Sequence, residues 1–545
     1  MAEPKTKMKK PGIVSRIFKW IGLTLLALLL IAALIFQAPW KVITLLLIIL
    51  LACTALPKPA RKWFWLSAAA VVIALIIWVF LPDWGEWKPY KYNFDKELAA
   101  LNDKYAIPDE QNAATIYNKL LENYDPNAMR PDFLDFKLER STRSEPWSSK
   151  DHPELAKWLQ GHQDTITALM QASKIEKCIF PLHLDIVSSG KTMERLSAMR
   201  QWVFLLRLAG NNDLAENSTD DALEKYITIL QMAKHQYQQP TAVDMLVGIA
   251  AEAIALDRFK SFVVTGNAKE VHLRVIESAL EGIKHDWSSD WPRILEHDKL
   301  VAKRTFAKYY EVNPKGKIRL SRDPGAEMRA RWKEQLEANQ IEDKQIREVF
   351  ESYVYLTYWQ KKLIRAKTIL SWFYIPSTPQ KASKIIDAAY QKYYSMSEPD
   401  FDWQKGPKKF SLTSMKLNYR FVVEFLANML ESSYYRIHDI YLRLIADKRG
   451  SRLIIALRRY KNKNGSWPKK LDEIKSSMPA EIFVDPFNEG PFVYKLTDDS
   501  FALYSKGKNN IDESGKFKYR GPDDWLIWPR RTRKTKEEKA DAEQQ

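Results

Sequence analysis

The sequence predicts a mainly α protein with three N-terminal transmembrane helices, a large extracytoplasmic helical domain and a small C-terminal α+β module. Three observations carry this expectation. Apolar runs occupy Ile17–Phe36, Trp40–Leu56 and Trp63–Leu81. Apolar residues at helical spacing then dominate as far as about Ile445. Turn and strand signals gather only after about Ser451.

Each apolar run approaches the roughly 17–25 residues that cross a hydrocarbon core about 30 Å thick. Lys5, Lys7, Lys9, Lys10 and Arg16 precede the first run, and Lys58, Arg61 and Lys62 separate the second from the third. The turn Gln37–Trp40 carries no charge. Basic flanks stay in the cytoplasm. Residues 1–16 are therefore expected as a cytoplasmic tail, residues 17–81 as the spans, and the chain after Leu81 on the far side of a bacterial inner membrane. A cleaved signal peptide is the competing reading of the first run, and cleavage still leaves two spans. Pro82 and Gly85 end the third span, and Trp84, Trp87, Tyr90 and Tyr92 read as an interfacial aromatic belt.

The 545 residues carry a formal charge of +17, part of it in the cytoplasmic flank and part in the run Arg530-Arg531-Thr532-Arg533-Lys534. A basic protein on the outer face of a membrane meets anionic lipid and cell-wall polymer. The expected partners are membrane lipid and an envelope protein or polysaccharide. No interleaved basic and aromatic signature marks a nucleic-acid module, so nucleic acid is not expected. Cys53 lies in the second apolar run and Cys178 stands alone, which leaves no intradomain disulfide.

Residues 82–408 read as the helical domain. Asp109 is placed to cap a helix whose buried face is Ile116, Tyr117, Leu120 and Leu121. A helical pair spans about Ser218–Thr265. Ser218 and Asp221 have capping-box spacing, and Leu223, Tyr226, Ile227, Leu230 and Tyr237 share a face. Gln239-Pro240 breaks the chain, with Pro240 in the first turn of the second helix. Gly248 and the alanines around it admit a close neighbour, and Gly266 or Asn267 supplies a left-handed stop. The pair has no second copy at a fixed period, which points to a helical domain without true repeats. Tyr353–Tyr374 is aromatic-rich, but Lys361, Lys362, Arg365 and Lys367 make it a core helix rather than a fourth span. Pro399–Lys409 is the expected boundary.

Residues 409–530 read as a long helix followed by the α+β module, and residues 531–545 as a disordered charged tail. Helix Leu453–Tyr460 ends at Asn464-Gly465, and Trp467-Pro468 starts a short second helix through Ile474. Strand signals cover Phe492–Leu496 and Phe501–Tyr504, with a turn at Asp498-Asp499.

The series Ala456-Leu-Arg-Arg-Tyr460, Asn464-Gly-Ser-Trp-Pro468, Leu471-Asp-Glu-Ile474, Asp485-Pro-Phe487 and Leu503-Tyr-Ser505 with Gly507 resembles the globular end of type II secretion pseudopilins. Similar endings close membrane-anchored proteins of planctomycete-type bacteria. The Asn112-Ala-Ala114 opening and the helical pair also look like that group, which implies no particular activity. A pseudopilin carries its membrane helix directly before this module. Here the module lies far downstream of the last span, which argues against assembly into a filament. The resemblance implies calcium in the loop after the final strands, with Asn509, Asp512, Asp523 and Asp524 as ligands. Oxygen donors on loops suit a hard cation. Asn510 stands at a glycine position, where asparagine accepts a positive φ.

Catalytic signals are weak. Ser188-Ser189-Gly190-Lys191-Thr192 ends like a phosphate-binding loop, but Asp185 stands where the pattern needs glycine. Ser188-x-x-Lys191 lacks the Lys-Thr-Gly element that penicillin-binding enzymes carry. Cys178 near His183 reads as a buried structural cysteine, and His285-Asp286 with His297-Asp298 lack metal-ligand spacing. The expected function is a cell-envelope scaffold or binding protein without catalytic residues. The rivals are an envelope hydrolase with a site built from distant residues and a component of a type II secretion or pilus-like system.

Overall fold

The computed structural model describes residues 86–90, 94–183, 190–321, 326–337, 347–348, 351, 354–355, 375–407, 421–517 and 521–530. The three expected spans, the cytoplasmic tail, most of Tyr353–Tyr374 and the charged tail 531–545 lie outside these residues. Among the described residues no helix is long and apolar enough to cross a membrane. The described chain is mainly helical, with two small antiparallel sheets. Its contacts form two units that interleave in sequence, whereas the expected domains are continuous stretches.

The helices are α1 (Asp95–Tyr105), α2 (Ala114–Glu122), α3 (Phe136–Ser144), α4 (Pro153–Gln160), α5 (Gln163–Ser173), α6 (Gly190–Ala215), α7 (Thr219–Tyr237), α8 (Ala242–Thr265), α9 (Glu270–Glu281), α10 (Trp287–Ala307), α11 (Ala326–Glu337), α12 (Pro379–Tyr394) and α13 (Phe421–Asn464). The strands are β1 (Lys88–Pro89), β2 (Tyr310–Val312), β3 (Ile318–Leu320), β4 (Val493–Leu496), β5 (Phe501–Ser505) and β6 (Trp525–Trp528).

The larger unit comprises Phe94–Val301, Tyr390–Pro407 and Glu431–Gln545. Its core is a stack of α6, α7 and α8 around Trp202, Leu206, Tyr226, Ile229, Leu230 and Phe259, all buried. The α7–α8 pair sits where the apolar spacing places it. Gly248 is required there, because a Cβ would stand 2.8 Å from the Tyr237 ring. The capping differs from expectation in four places. Ser218 makes no side-chain cap. Helix α8 starts at Ala242, not at Pro240, because the Thr241 side chain accepts the Asp244 N–H. Gly266 closes α8 at φ −85°, outside the left-handed region. At the head of α2 the cap is Asn112, not Asp109, with its Oδ1 3.1 Å from the Ala114 N–H.

One extended segment, Lys177–His183, crosses this helical unit without a sheet to join. Among the described residues, a single parallel bridge, Asn112 to Lys177, is all the ladder it has. Side-chain amides replace the missing strands. Asn112 accepts from the Ile179 N–H and donates to the Ile179 carbonyl, both at 2.9 Å. Gln239 accepts from the Phe180 N–H at 3.1 Å and donates to the Cys178 carbonyl at 2.6 Å. Gln238 takes the Cys178 N–H at 2.7 Å. Asn102 spans the Leu182 N–H and carbonyl at 2.7 and 3.4 Å. A primary amide carries a donor and an acceptor side by side, as an adjacent strand would. Buried backbone polar groups are thereby satisfied.

The C-terminal module packs on α13. Strands β4, β5 and β6 form one antiparallel sheet in that order, so a third strand joins the two read from the sequence. Gly450 of α13 lets β6 approach, since a Cβ would stand 2.6 Å from the Ile527 side chain. The Arg443 guanidinium lies over both Phe517 and Trp525, 4.7 and 4.8 Å from the ring centres. The short helix expected after Trp467 is a 3-10 turn, Leu471–Ser477.

The smaller unit comprises Met1–Asn93, Ala302–Ala389 and Lys408–Leu430. Its sheet, in the order β1-β2-β3, covers a cluster of Tyr310, Leu320, Ile375 and Ala382, with Tyr90 packed beside it. Trp87 lies 3.9 Å beneath the Arg319 guanidinium. Trp87 and Tyr90, two members of the expected aromatic belt, thus make protein contacts. Trp84 and Tyr92 lie outside the described residues.

The amide clamp yields a first prediction. Asn112→Ala leaves the half-buried Ile179 N–H and carbonyl without their side-chain partner, at up to about 1–3 kcal/mol each. Chemical denaturation should show a loss of about 2–4 kcal/mol with the slope unchanged. A loss below about 0.5 kcal/mol would show that the clamp carries no stability.

Candidate functional site

The clamped segment leads straight into a cleft of the larger unit. Phe180, Pro181 and His183 form one wall of a cleft of about 360 Å³. Asn118, Leu121 and Glu122 of α2 face them, and Thr192, Glu194 and Arg195 come from the first turns of α6. A smaller recess of about 20 Å³ continues toward Thr241, Asp244 and His297. Small-molecule sites typically occupy about 300–1,000 Å³.

The floor of this cleft is rigid. Arg195 grips Asp244 with two hydrogen bonds, 2.7 and 3.1 Å, and lies 4.4 Å over the Phe180 ring. Asp244 is fully buried and also accepts from the Thr241 hydroxyl at 2.5 Å. Such a bidentate pair is geometrically specific. His297 is buried, and its Nε2 donates to the His183 carbonyl at 3.1 Å. Burial lowers its pKa and favours the neutral ring. The rim is different. His183, Glu122 and Glu194 are exposed and free to meet a ligand.

Other chemical groups singled out in the sequence are engaged within the fold. Cys178 has no exposure, and burial pushes its thiol far above the usual range, so it is inert as a nucleophile. Its pairing is through its backbone. His285 bonds to Glu252 at 3.0 Å, and Glu252 also accepts from the Tyr237 hydroxyl at 2.8 Å. Burial alone would raise the Glu252 carboxyl, but His285 and Lys448 hold it below its ordinary value. Asp298 is tied to the hydroxyls of Tyr434 and Tyr390, and burial raises its carboxyl. His285-Asp286 and His297-Asp298 therefore serve separate networks. Ser188 and Ser189 lie outside the described residues, and Gly190 opens α6.

The loop after the final strands brings together part of the expected calcium set. Carboxylate oxygens of Glu513, Asp523 and Asp524 lie within 4.8 Å of one another. Asp523 Oδ1 is buried without a hydrogen-bond partner, while its Oδ2 takes the Lys508 N–H at 2.9 Å. Asp524 is fully buried, and its Oδ2 accepts from the Glu513 and Gly515 N–H groups at 2.9 and 2.8 Å. Burial raises the Asp524 carboxyl, and repulsion from Glu513 and Asp512 adds to the rise. Carboxylates crowded in this way fit a hard cation with oxygen ligands. Asp512 points elsewhere. It accepts from the Tyr504 hydroxyl at 2.6 Å and from Lys495 at 3.0 Å, which hold its carboxyl down at about 2. Asn509 Oδ1 is turned back on the Ile511 N–H at 2.7 Å. Asn510 sits at φ 55°, as a glycine-like position demands.

No protein-family model, curated protein or solved structure matches this chain. The sequence reading missed the cleft residues Asn118, Glu122 and Glu194, which look like the solvent faces of ordinary amphipathic helices. Glu513 was also missed, although it neighbours Asp512 on the loop that the reading singled out.

Buried neutral histidines set the response to acid. His235 is fully buried between the Tyr117 hydroxyl and the Ile175 carbonyl, and burial lowers its pKa to about 4. His438 stacks on Trp403 and is lowered to about 3, first by burial and then by Lys508. Below the unfolded pKa of about 6.5 the unfolded chain binds protons that the folded chain refuses. Stability is therefore full above about pH 6.5 and falls as pH drops, by about 3 kcal/mol or more for each ring. Urea midpoints between pH 7 and pH 4 should decline accordingly. A flat profile would contradict the neutral, buried assignment.

Proposed function

We propose that this protein is a membrane-anchored binding protein of the cell envelope, displaying a helical domain and a pseudopilin-like module outside the cytoplasm and acting without catalysis. The observation that carries the reading is the cleft itself. Its floor is locked by the Arg195–Asp244 pair and by an amide-clamped wall, while its polar rim is open. Rigid positioning of a recognition surface suits binding, because little ordering is needed when a ligand arrives. The apolar runs before Leu81 supply the anchor in this reading, and the basic flanks supply the orientation.

A photocrosslinking residue in place of Asn118, in native membranes, should yield a reproducible adduct, and one in place of the exposed Val271 on α9 should not. Equal labelling at both positions would sink the binding assignment.

One observation favours the hydrolase reading as a second. The rim carries two exposed carboxylates and an imidazole, the residue types of general acid–base chemistry. Glu122→Gln and Glu194→Gln separate the two readings. A hydrolase loses turnover of its substrate by about 100-fold or more with either change, whereas a binding protein keeps its adduct.

Calcium belongs to the same proposal as a structural ion of the C-terminal module, held by Glu513, Asp523 and Asp524. Calcium should raise the melting temperature, a chelator should reverse the rise, and Asp523→Asn should remove it. No change with calcium or chelator would mean that the loop is an ordinary polar turn.

A further inference from the structure

We propose that the guanidinium cluster around Asp257 binds a small oxyanion of the phosphate or sulfate class, at the edge formed by Arg143 and Arg207. Three guanidiniums share the one Asp257 carboxylate. Arg258 donates to Oδ2 at 2.6 and 3.2 Å, Arg530 donates to both oxygens at 2.8 and 3.1 Å, and Arg207 reaches Oδ2 only at 3.4 Å. Arg143 relies on Glu139 at 2.8 Å, and Glu139 also serves Arg130 at 3.0 Å. Glu145 joins Arg530 at 2.9 Å but is 66% exposed. Arg130, Arg143, Arg207, Arg258 and Arg530 thus face Asp257, Glu139 and Glu145, which leaves positive charge in excess.

Part of that excess has a partner in the fold. The Ser144 carbonyl at the C-terminal end of α3 accepts from Arg258 at 2.5 Å and from Arg530 at 2.8 Å. The negative end of a helix dipole attracts such cations. Arg207 gains nothing from it. Its side chain is 13% exposed, its Nε is buried without a partner, and its single carboxylate contact is the longest of the set. Burial, followed by repulsion from Arg258, lowers its pKa to about 9. Arg143 also has a buried Nε without a partner, and its guanidinium lies 3.9 Å over Phe204, one turn before Arg207 on α6. Neither arginine has a second carboxylate among the described residues. Arg143 lies close enough to add to the repulsion felt by Arg207, and two neighbouring guanidiniums suit a tetrahedral oxyanion, which accepts from both at once.

The test uses the full chain in detergent, melted at constant ionic strength while sodium phosphate replaces sodium chloride. The melting temperature should rise saturably with phosphate and with sulfate but not with chloride. Arg207→Met should weaken the apparent phosphate affinity about tenfold, the worth of one charge-assisted contact. Arg143→Met tests the same edge if Arg207→Met does not fold. Removing Arg207 also removes repulsion, so its basal melting temperature should not fall. An equal response to chloride, or a wild-type phosphate response in a folded variant of either arginine, would overturn the proposal. Stabilisation by phosphatidylglycerol vesicles with none by inorganic phosphate would overturn the small-ion assignment in favour of a lipid headgroup.

Discussion

The larger unit depends on holding an extended backbone inside a helical stack. Among the described residues segment 177–183 has no strand on either side, so its peptide groups would be costly to bury unpaired. Four amide side chains from α1, the head of α2 and the end of α7 resolve the problem by imitating strands. That solution constrains its surroundings. The end of α7 must place Gln238 and Gln239 next to each other, and Arg293 of α10 caps the same end by donating to the Tyr237 and Gln238 carbonyls. His235 then falls where it joins α2, through Tyr117, to the Ile175 carbonyl. The cleft wall is a consequence of this arrangement rather than a separate device.

Electrostatics follows the same economy of pairing. Asp244 and Glu252 are buried and Asp298 is partly buried, and each is matched to a cation, an imidazole or hydroxyls from another element. Breaking a buried pair costs far more than forming it gains, so such residues specify one arrangement of helices more than they add stability. Charges left at the cleft rim have no such duty. This separation of locked floor from open rim is what supports ligand binding over a purely architectural role for the concavity.

The sequence reading found elements well and connections poorly. Helices α7 and α8 were legible because apolar spacing and the Gln239-Pro240 break are local signals. The strands β4 and β5 were legible for the same reason. Strand β6 was hidden, since Trp525-Leu-Ile-Trp528 shows no alternation and follows two aspartates. Caps were misassigned where a competing residue stood nearby: Asn112 displaced Asp109, and Thr241 displaced Pro240. The clamp was beyond reach, because Asn112 lies 67 residues from Ile179 and Asn102 lies 80 from Leu182. Nothing in an asparagine announces that its amide will serve a distant backbone. In the loop after the final strands, Asp523 and Asp524 were picked out by resemblance, but Asp512 is committed to Lys495 across 17 residues. Glu513 is the acid that the fold brings beside Asp523 and Asp524 instead.

The contact between Arg530 and the Ser144 carbonyl joins residues 386 positions apart. Synthesis delivers the end of α3 and the Asp257 carboxylate long before their partner exists. Until Arg530 arrives, α3 has one fewer cation at its negative end, and Arg207 and Arg258 share Asp257 without competition. The helical stack can collect its apolar core early, but its charge arrangement waits for a residue 386 positions downstream of the α3 end that it serves. Completion of the helical stack and arrival of the C-terminal module are therefore the same event in the life of the chain.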